Sequence, residues 1–246
     1  FFSMSKLVLV TGANSFIGSW IVKFLLEKGY RVRGTVRSKE KAERVLNGIN
    51  ENDRNRIEFV YVKDLVEDSF DEAVENVDRI IHVASPFHFN VKDPEKDLLL
   101  PAINGTLNLF RCAHRFNQNN SKQIDRIVLT SSFASIVDVD KGFRPGYTYT
   151  EDDWSPLTYE DGLNAKDDPS IVYRTSKVCA ERSAWKYVQE EKPSFTLATI
   201  CEPMVFGPRV DSFYSFDDLN TSNAIIWSLI TSGKDSPVPS ARVPFQ

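Results

Sequence analysis

Short apolar runs alternate along this chain with longer segments in which apolar residues recur every three to four positions. Runs of that kind fit buried strands, and a repeat near 3.6 residues fits a helix with one face on a core. Strands are predicted on this basis at residues 7–10, 30–36, 57–62, 79–84, 126–130 and 195–200. Helices are predicted at 16–28, 39–50, 69–74, 97–116, 173–190 and 221–232. Strand and helix in alternation imply an α/β fold, a doubly wound parallel sheet with helices on both faces.

The stretch 138–168 interrupts this pattern. It is rich in Gly, Pro, Asp and Tyr, lacks a period and exceeds an ordinary connection, so it is predicted as a functional loop over a cleft. After Pro208 the alternation is lost. Residues 4–200 therefore read as a dinucleotide-binding domain and 201–246 as the start of a smaller, incomplete substrate-binding lobe. Phe1, Phe2 and Ser3 precede a Met4 that reads as a natural start and are set aside from the fold reasoning.

Composition narrows the class. With 246 residues, 41% of them hydrophobic and 26% charged, the chain can bury one sizeable core. A net charge of −4, with Arg37, Lys39 and Lys41 interspersed among acids, argues against a nucleic-acid partner. Cys112, Cys179 and Cys201 are odd in number and lack metal-ligand spacing, so no disulfide framework or metal site is expected and a reducing, cytoplasmic setting is. No apolar run approaches the ~18 residues of a membrane span, and no secretory leader is visible.

Residues 7–18 read Leu-Val-Leu-Val-Thr-Gly-Ala-Asn-Ser-Phe-Ile-Gly, a glycine turn between the first strand and the first helix. Gly12 permits the tight turn and Gly18 close helix packing, and the helix N-terminus offers free N–H groups to a pyrophosphate. Asn14, Ser15, Phe16 and Ile17 complete this candidate cofactor loop, against the alternative of a tight turn without ligand. The sheet pattern and this loop together make the predicted fold Rossmann-type.

The end of the second strand selects the cofactor. An acid there would hydrogen-bond a ribose 2′-hydroxyl, but the strand ends in Arg37, with Lys41 one turn further on, and cations there favour NADPH. Asp64 and Leu65 fall where adenine would lie. Val83, Ala84 and Ser85 end the fourth strand with small residues that let a ribose approach, and Thr130 ends the fifth.

Tyr173 and Lys177, four apart, share one helix face. A phenol titrates at about 10, and a neighbouring ammonium lowers that value, so Lys177 is expected to tune Tyr173 as a proton donor. Ser131 and Ser132 lie at the carboxyl end of a central strand, where ligands bind in open α/β sheets. One of these two serines is expected to hydrogen-bond the substrate carbonyl beside Tyr173; a turn or helix cap is the alternative for either, and the more so for Ser131.

With these residues in view the chain resembles an extended short-chain dehydrogenase/reductase. It is similar to the yeast and fungal ketone and methylglyoxal/isovaleraldehyde reductases and to plant dihydroflavonol and cinnamoyl-CoA reductases. The resemblance rests on residues 11–18, Val36-Arg37-Ser38, Ala84-Ser85-Pro86-Phe87, Pro101-Ala-Ile-Asn104-Gly, Leu129-Thr-Ser-Ser132, Tyr173-x-x-x-Lys177 and Phe206-Gly-Pro208. It implies a triad of Ser132, Tyr173 and Lys177, with Asn104 supporting a proton relay. It also implies 2′-phosphate recognition by Arg37 and Lys41, and nicotinamide contacts from Cys201, Glu202, Pro203 and Val205.

Against the family pattern Ser15 replaces a glycine of the loop and Glu202 a proline. Family members continue for roughly another hundred residues, the size of a further lobe. The implied reaction is carbonyl reduction by NADPH, in a pocket of Phe87, Phe133, Val137, Ile171 and Met204 that predicts an apolar ketone or aldehyde. A nucleotide-sugar epimerase or dehydratase and a non-catalytic NADP sensor are the competing readings. The expected assembly is a monomer or homodimer. His82, inside the fourth strand, reads as a satisfied core histidine.

Overall fold

Strand β1 (Leu7–Thr11) is buried at all five positions, as a central strand covered on both faces must be. Its side chains alternate between two cores. Leu7 and Leu9 join Phe70, Ile80, Phe110, Ile127 and Phe195 on one side, and Val8 and Val10 join Val22, Leu26, Val32 and Val45 on the other. This computed structural model describes residues 6–86, 91–142, 144–211, 216 and 219–233.

Five further strands lie parallel to β1: β2 (Arg31–Val36), β3 (Ile57–Tyr61), β4 (Arg79–His82), β5 (Arg126–Thr130) and β6 (Thr196–Ile200). Their order, β3-β2-β1-β4-β5-β6, is that of the predicted Rossmann-type sheet. The chain runs outward from β1 to β3 and then returns to the other side of β1. A crevice therefore opens at the carboxyl ends of β1 and β4, where the winding reverses.

Helices α1 (Phe16–Glu27) and α2 (Lys39–Asn47) cover one face. Helices α3 (Asp71–Val74), α4 (Leu100–Asn119) and α6 (Pro169–Glu191) contribute to the core of the other. There Phe110 meets Tyr187 and Phe195 edge-on, with ring centroids 6.0 and 5.7 Å apart. Burying such an aromatic contributes about 1.5–3 kcal/mol.

The sequence periods miss several boundaries, each for a local reason. Helix α6 begins at Pro169 rather than 173, because Asp168 accepts from the N–H of Ser170 and Ile171 and proline suits a first helical position. Strand β4 ends at His82 because the N–H groups of Val83 and Ala84 turn to the Thr11 hydroxyl, at 3.0 Å each. A π-helical turn, Glu95–Leu99, precedes α4. The stretch 138–168 holds α5 (Tyr159–Asn164), started by a reciprocal Thr158 and Asp161 cap. Helix α7 (Thr221–Thr231) follows β6 after an irregular segment. Among the described residues no helix is long and apolar enough to cross a membrane.

Candidate active site

A single groove crosses the carboxyl edge of the sheet in two connected cavities. The smaller, about 260 Å³, lies over β1 and β2 and is lined by Gly12, Asn14, Thr35, Arg37, Lys41 and Leu65, among others. The larger, about 820 Å³, lies over β5 and β6, with Ser132, Tyr173, Lys177 and Glu202 in its wall. Ser15, Val83 and Ser85 line both and join them.

Backbone geometry shapes the narrow end. Gly12 has φ +63°, and a Cβ there would come within 3.1 Å of the Ala84 backbone. A Cβ on Gly18 would collide with the Gly12 carbonyl oxygen, so both glycines are needed for the loop to close on itself. The loop is tied to β2, with the Gly12 N–H donating to Thr35 Oγ1 at 3.2 Å and the Ala13 N–H to the Thr35 carbonyl at 3.1 Å. Ser15, where the family pattern has a glycine, is the N-cap of α1: its hydroxyl accepts from the Gly18 N–H at 3.0 Å.

Charge at that end is positive and uncommitted. The neighbouring cations of α2 are engaged, Lys39 with Glu43 and Arg44 with Glu40. Arg37 and Lys41 make no ion pair among the described residues, and both face the cavity. Leu65 lines the cavity too. Asp64, expected beside an adenine, lies exposed and outside the lining, where its Oδ1 accepts from the N–H groups of Val66 and Glu67.

At the wide end Ser132 and Tyr173 both line the cavity, and the Ser132 hydroxyl accepts from the Ala134 N–H at 3.2 Å. Burial pushes the Tyr173 phenol above its ordinary range, and this outweighs the lowering by Ser132. The expected lowering by Lys177 is not found, its Nζ standing 5.9 Å from the Tyr173 ring centre. Burial lowers the Lys177 ammonium, and Glu202 and Glu181 act to raise it.

Ser131 lies outside the cavity lining, and the capping role expected of it falls to Ser132, whose hydroxyl caps the short helical turn that follows. The Ser131 hydroxyl donates to the buried Glu181 carboxylate, which also accepts from Ser135 at 2.6 Å. Cys201 lies on the same cluster, 3.6 Å from Glu181 Oε2, and outside the cavity lining. Glu181 was missed in the sequence, although Tyr173, Lys177 and Glu181 at four-residue intervals form one helical stripe.

Phe16, Ile17, Thr130, Phe133, Val137, Pro203, Met204 and Val205 line the wide cavity, and Ile171 does not. Side chains of α6 advance about 100° per residue, so Ile171 is turned away from the stripe of Tyr173 and Lys177. Phe87 lies outside the described residues. Asn104 is half-buried on α4, apart from both cavity linings. Arg174 and a stretch of the α7 segment that includes Asn220, Ala224 and Ile225 also line the wide cavity, beyond the residues the sequence predicts. No short motif marks α7, and only the folded chain brings it over the site.

His82 is half as expected. Its Nδ1 lies 2.7 Å from Thr11 Oγ1. That hydroxyl already accepts two backbone N–H groups and so donates to Nδ1, leaving the proton on Nε2, which is buried and unpartnered. Burial, with Lys177 nearby, depresses this imidazole to about 3, so it is neutral in the physiological range.

A doubly wound sheet with a glycine loop at its switch point, and a serine, tyrosine and lysine across the crevice, defines a dinucleotide-binding α/β protein of Rossmann type. The chain belongs to the NAD dependent epimerase/dehydratase family, which it matches over residues 8–225. It is 44% identical over 233 residues to an uncharacterized oxidoreductase of Schizosaccharomyces pombe, covering 94% of this chain and 67% of that one. With the NADPH-dependent methylglyoxal reductase of Saccharomyces cerevisiae it shares 34% identity over 239 residues, 94% of this chain and 68% of the relative. The structure of Gre2 from Candida albicans in complex with NADPH superposes with a TM-score of 0.83 at 36% identity, over 95% of this chain and 68% of that one.

Proposed function

We propose that the protein is an NADPH-dependent reductase of carbonyl compounds, with Tyr173 as the proton donor. One observation carries the reading: a single groove has uncommitted cations, Arg37 and Lys41, at one end and Ser132, Tyr173 and Lys177 at the other. The residues fit the cofactor. Arg37 and Lys41 would hold a 2′-phosphate, and the loop 12–18 with the N-terminus of α1 would hold a pyrophosphate. The narrow cavity beside Leu65 would take the adenosine, and the wide cavity the nicotinamide and the substrate. The likeness to NADPH-dependent reductases supports the same cofactor.

NADPH supplies the hydride that reduces the carbonyl carbon. Tyr173 gives its proton to the carbonyl oxygen, and burial serves this role by keeping the phenol protonated at neutral pH. Ser132 orients the phenol and the carbonyl oxygen together. Lys177 faces the charge left on the phenolate. The carbonyl compound lies against Phe133, Val137, Met204 and Ile225, which favours an apolar ketone or aldehyde. On this reading the segment after residue 200 begins the substrate lobe.

The test follows NADPH absorbance with a panel of ketones, aldehydes, diketones and a flavonoid. Oxidation that depends on the carbonyl is expected. No turnover with any of them, while NADPH binds, sinks the reductase reading.

A further inference from the structure

We propose that Glu202 is the counter-charge of the nicotinamide ring, so that the site discriminates oxidised from reduced cofactor according to the protonation of this one carboxyl. The inference rests on the NADPH reading above and goes beyond it. It assigns to Glu202 a task that neither the serine, tyrosine and lysine nor the phosphate loop performs.

Three observations carry it. Glu202 shares the wall of the wide cavity with Tyr173 and Lys177, where a ring must lie if its hydride is to reach a carbonyl protonated by Tyr173. Its Oε2 is buried without a hydrogen-bond partner, although the Glu202 backbone is fixed by accepting the Phe133 N–H at 2.8 Å. A buried acid with an open oxygen is costly unless something charged or hydrogen-bonding meets it. Finally, the reduced nicotinamide ring is neutral and the oxidised ring cationic, so an ionised carboxylate beside it favours only the oxidised form.

Burial pushes the Glu202 carboxyl up to about 7, against lowering by its own backbone N–H and by Lys177. The groups that face it are Lys177, Tyr173 and Glu181 on α6, with Arg174 on the same cavity wall and Cys201 next to it in the chain. His82 on β4 faces Lys177 and is neutral. The described residues of α7 supply no titratable group. The Glu202 carboxyl thus changes charge near neutral pH, beside a Lys177 ammonium that burial lowers. Deprotonated, the carboxyl attracts the oxidised ring; protonated, it does not.

The test is calorimetric titration of the protein with NADP⁺ and with NADPH at pH about 6 and about 8, for wild type and Glu202→Gln. The 2′-phosphate is common to both forms, so its own titration cancels in the ratio of their Kd values. We expect the wild-type preference for NADP⁺ over NADPH to rise about fivefold between the two pH values, the part of one pKa unit of coupling that falls in this range. In Glu202→Gln, which keeps the shape and removes the charge, the ratio should not move with pH. A ratio that is flat with pH in the wild type overturns the proposal without recourse to the variant. A slope that survives in Glu202→Gln overturns it as well. If neither cofactor form binds, the NADPH reading falls and this inference falls with it.

Discussion

Tyr173 and Glu202 lie in one cavity, and burial raises both above their ordinary values. For Tyr173, on the mechanism proposed, the consequence is a phenol that holds its proton until a substrate oxygen takes it. Tyr173→Phe should lower kcat by about 10²–10⁴-fold, the usual contribution of a positioned acid. NADPH affinity, read by fluorescence titration, should stay within about twofold; retained turnover would remove Tyr173 as the donor. For Glu202 the consequence reaches stability. Its folded value of about 7 stands above the ordinary 4.5, so between these limits the native state binds the extra proton and stability falls as pH rises. Glu202→Gln should therefore stabilise the protein above pH ~7 by on the order of 2 kcal/mol and have little effect below pH ~4.5. Equal urea midpoints for variant and wild type at high pH would contradict this.

Helix α1 carries at element scale what the loop does for the site. The Ser15 hydroxyl satisfies the Gly18 N–H at 3.0 Å, an otherwise unpaired donor of the first turn. Ser15→Ala should cost about 1 kcal/mol in denaturant unfolding, and Ser15→Gly only a few tenths, because glycine is itself a tolerated cap. If the two variants unfolded alike, the capping role would be wrong. Much of this scale was legible beforehand. The six strands follow from apolar runs, and Gly12, Gly18, Tyr173 and Lys177 carry spacing that the folded groove uses. Less legible were contacts made across the chain. Glu181 sits under the site because Ser131 and Ser135 point back into α6, and strand alternation alone did not distinguish Ser131 from Ser132. Thr11 shortens β4 through a side-chain hydrogen bond, which no backbone propensity contains. Asp64 and Ile171 were placed by order along the chain, whereas local turn bonds and helix phase decide where they point.

On the scale of the whole molecule, the groove is lined by residues from Gly12 to Ser228, drawn from both cores and from segments that only the folded sheet brings together. A ligand that spans it recognises the native chain and not the unfolded one, so binding must raise stability by RT ln(1 + [L]/Kd), about 2.7 kcal/mol at a hundredfold excess over Kd. For a chain of this length each kcal/mol corresponds to about 2–4 °C, so NADPH at that excess should raise Tm by about 5–10 °C. NADH at the same concentration lacks the 2′-phosphate that Arg37 and Lys41 would meet, and should raise Tm less. Replacing both cations by alanine should bring the NADPH shift down to the NADH shift while leaving the NADH shift in place. Those two residues lie at the far end of the groove from Tyr173, so the loss should be one of cofactor affinity. Equal shifts from NADPH and NADH in the wild-type protein would remove the phosphate-binding role of Arg37 and Lys41. The rest of the groove would still be free to bind a dinucleotide, because the glycine loop and the α1 N-terminus do not depend on that pair.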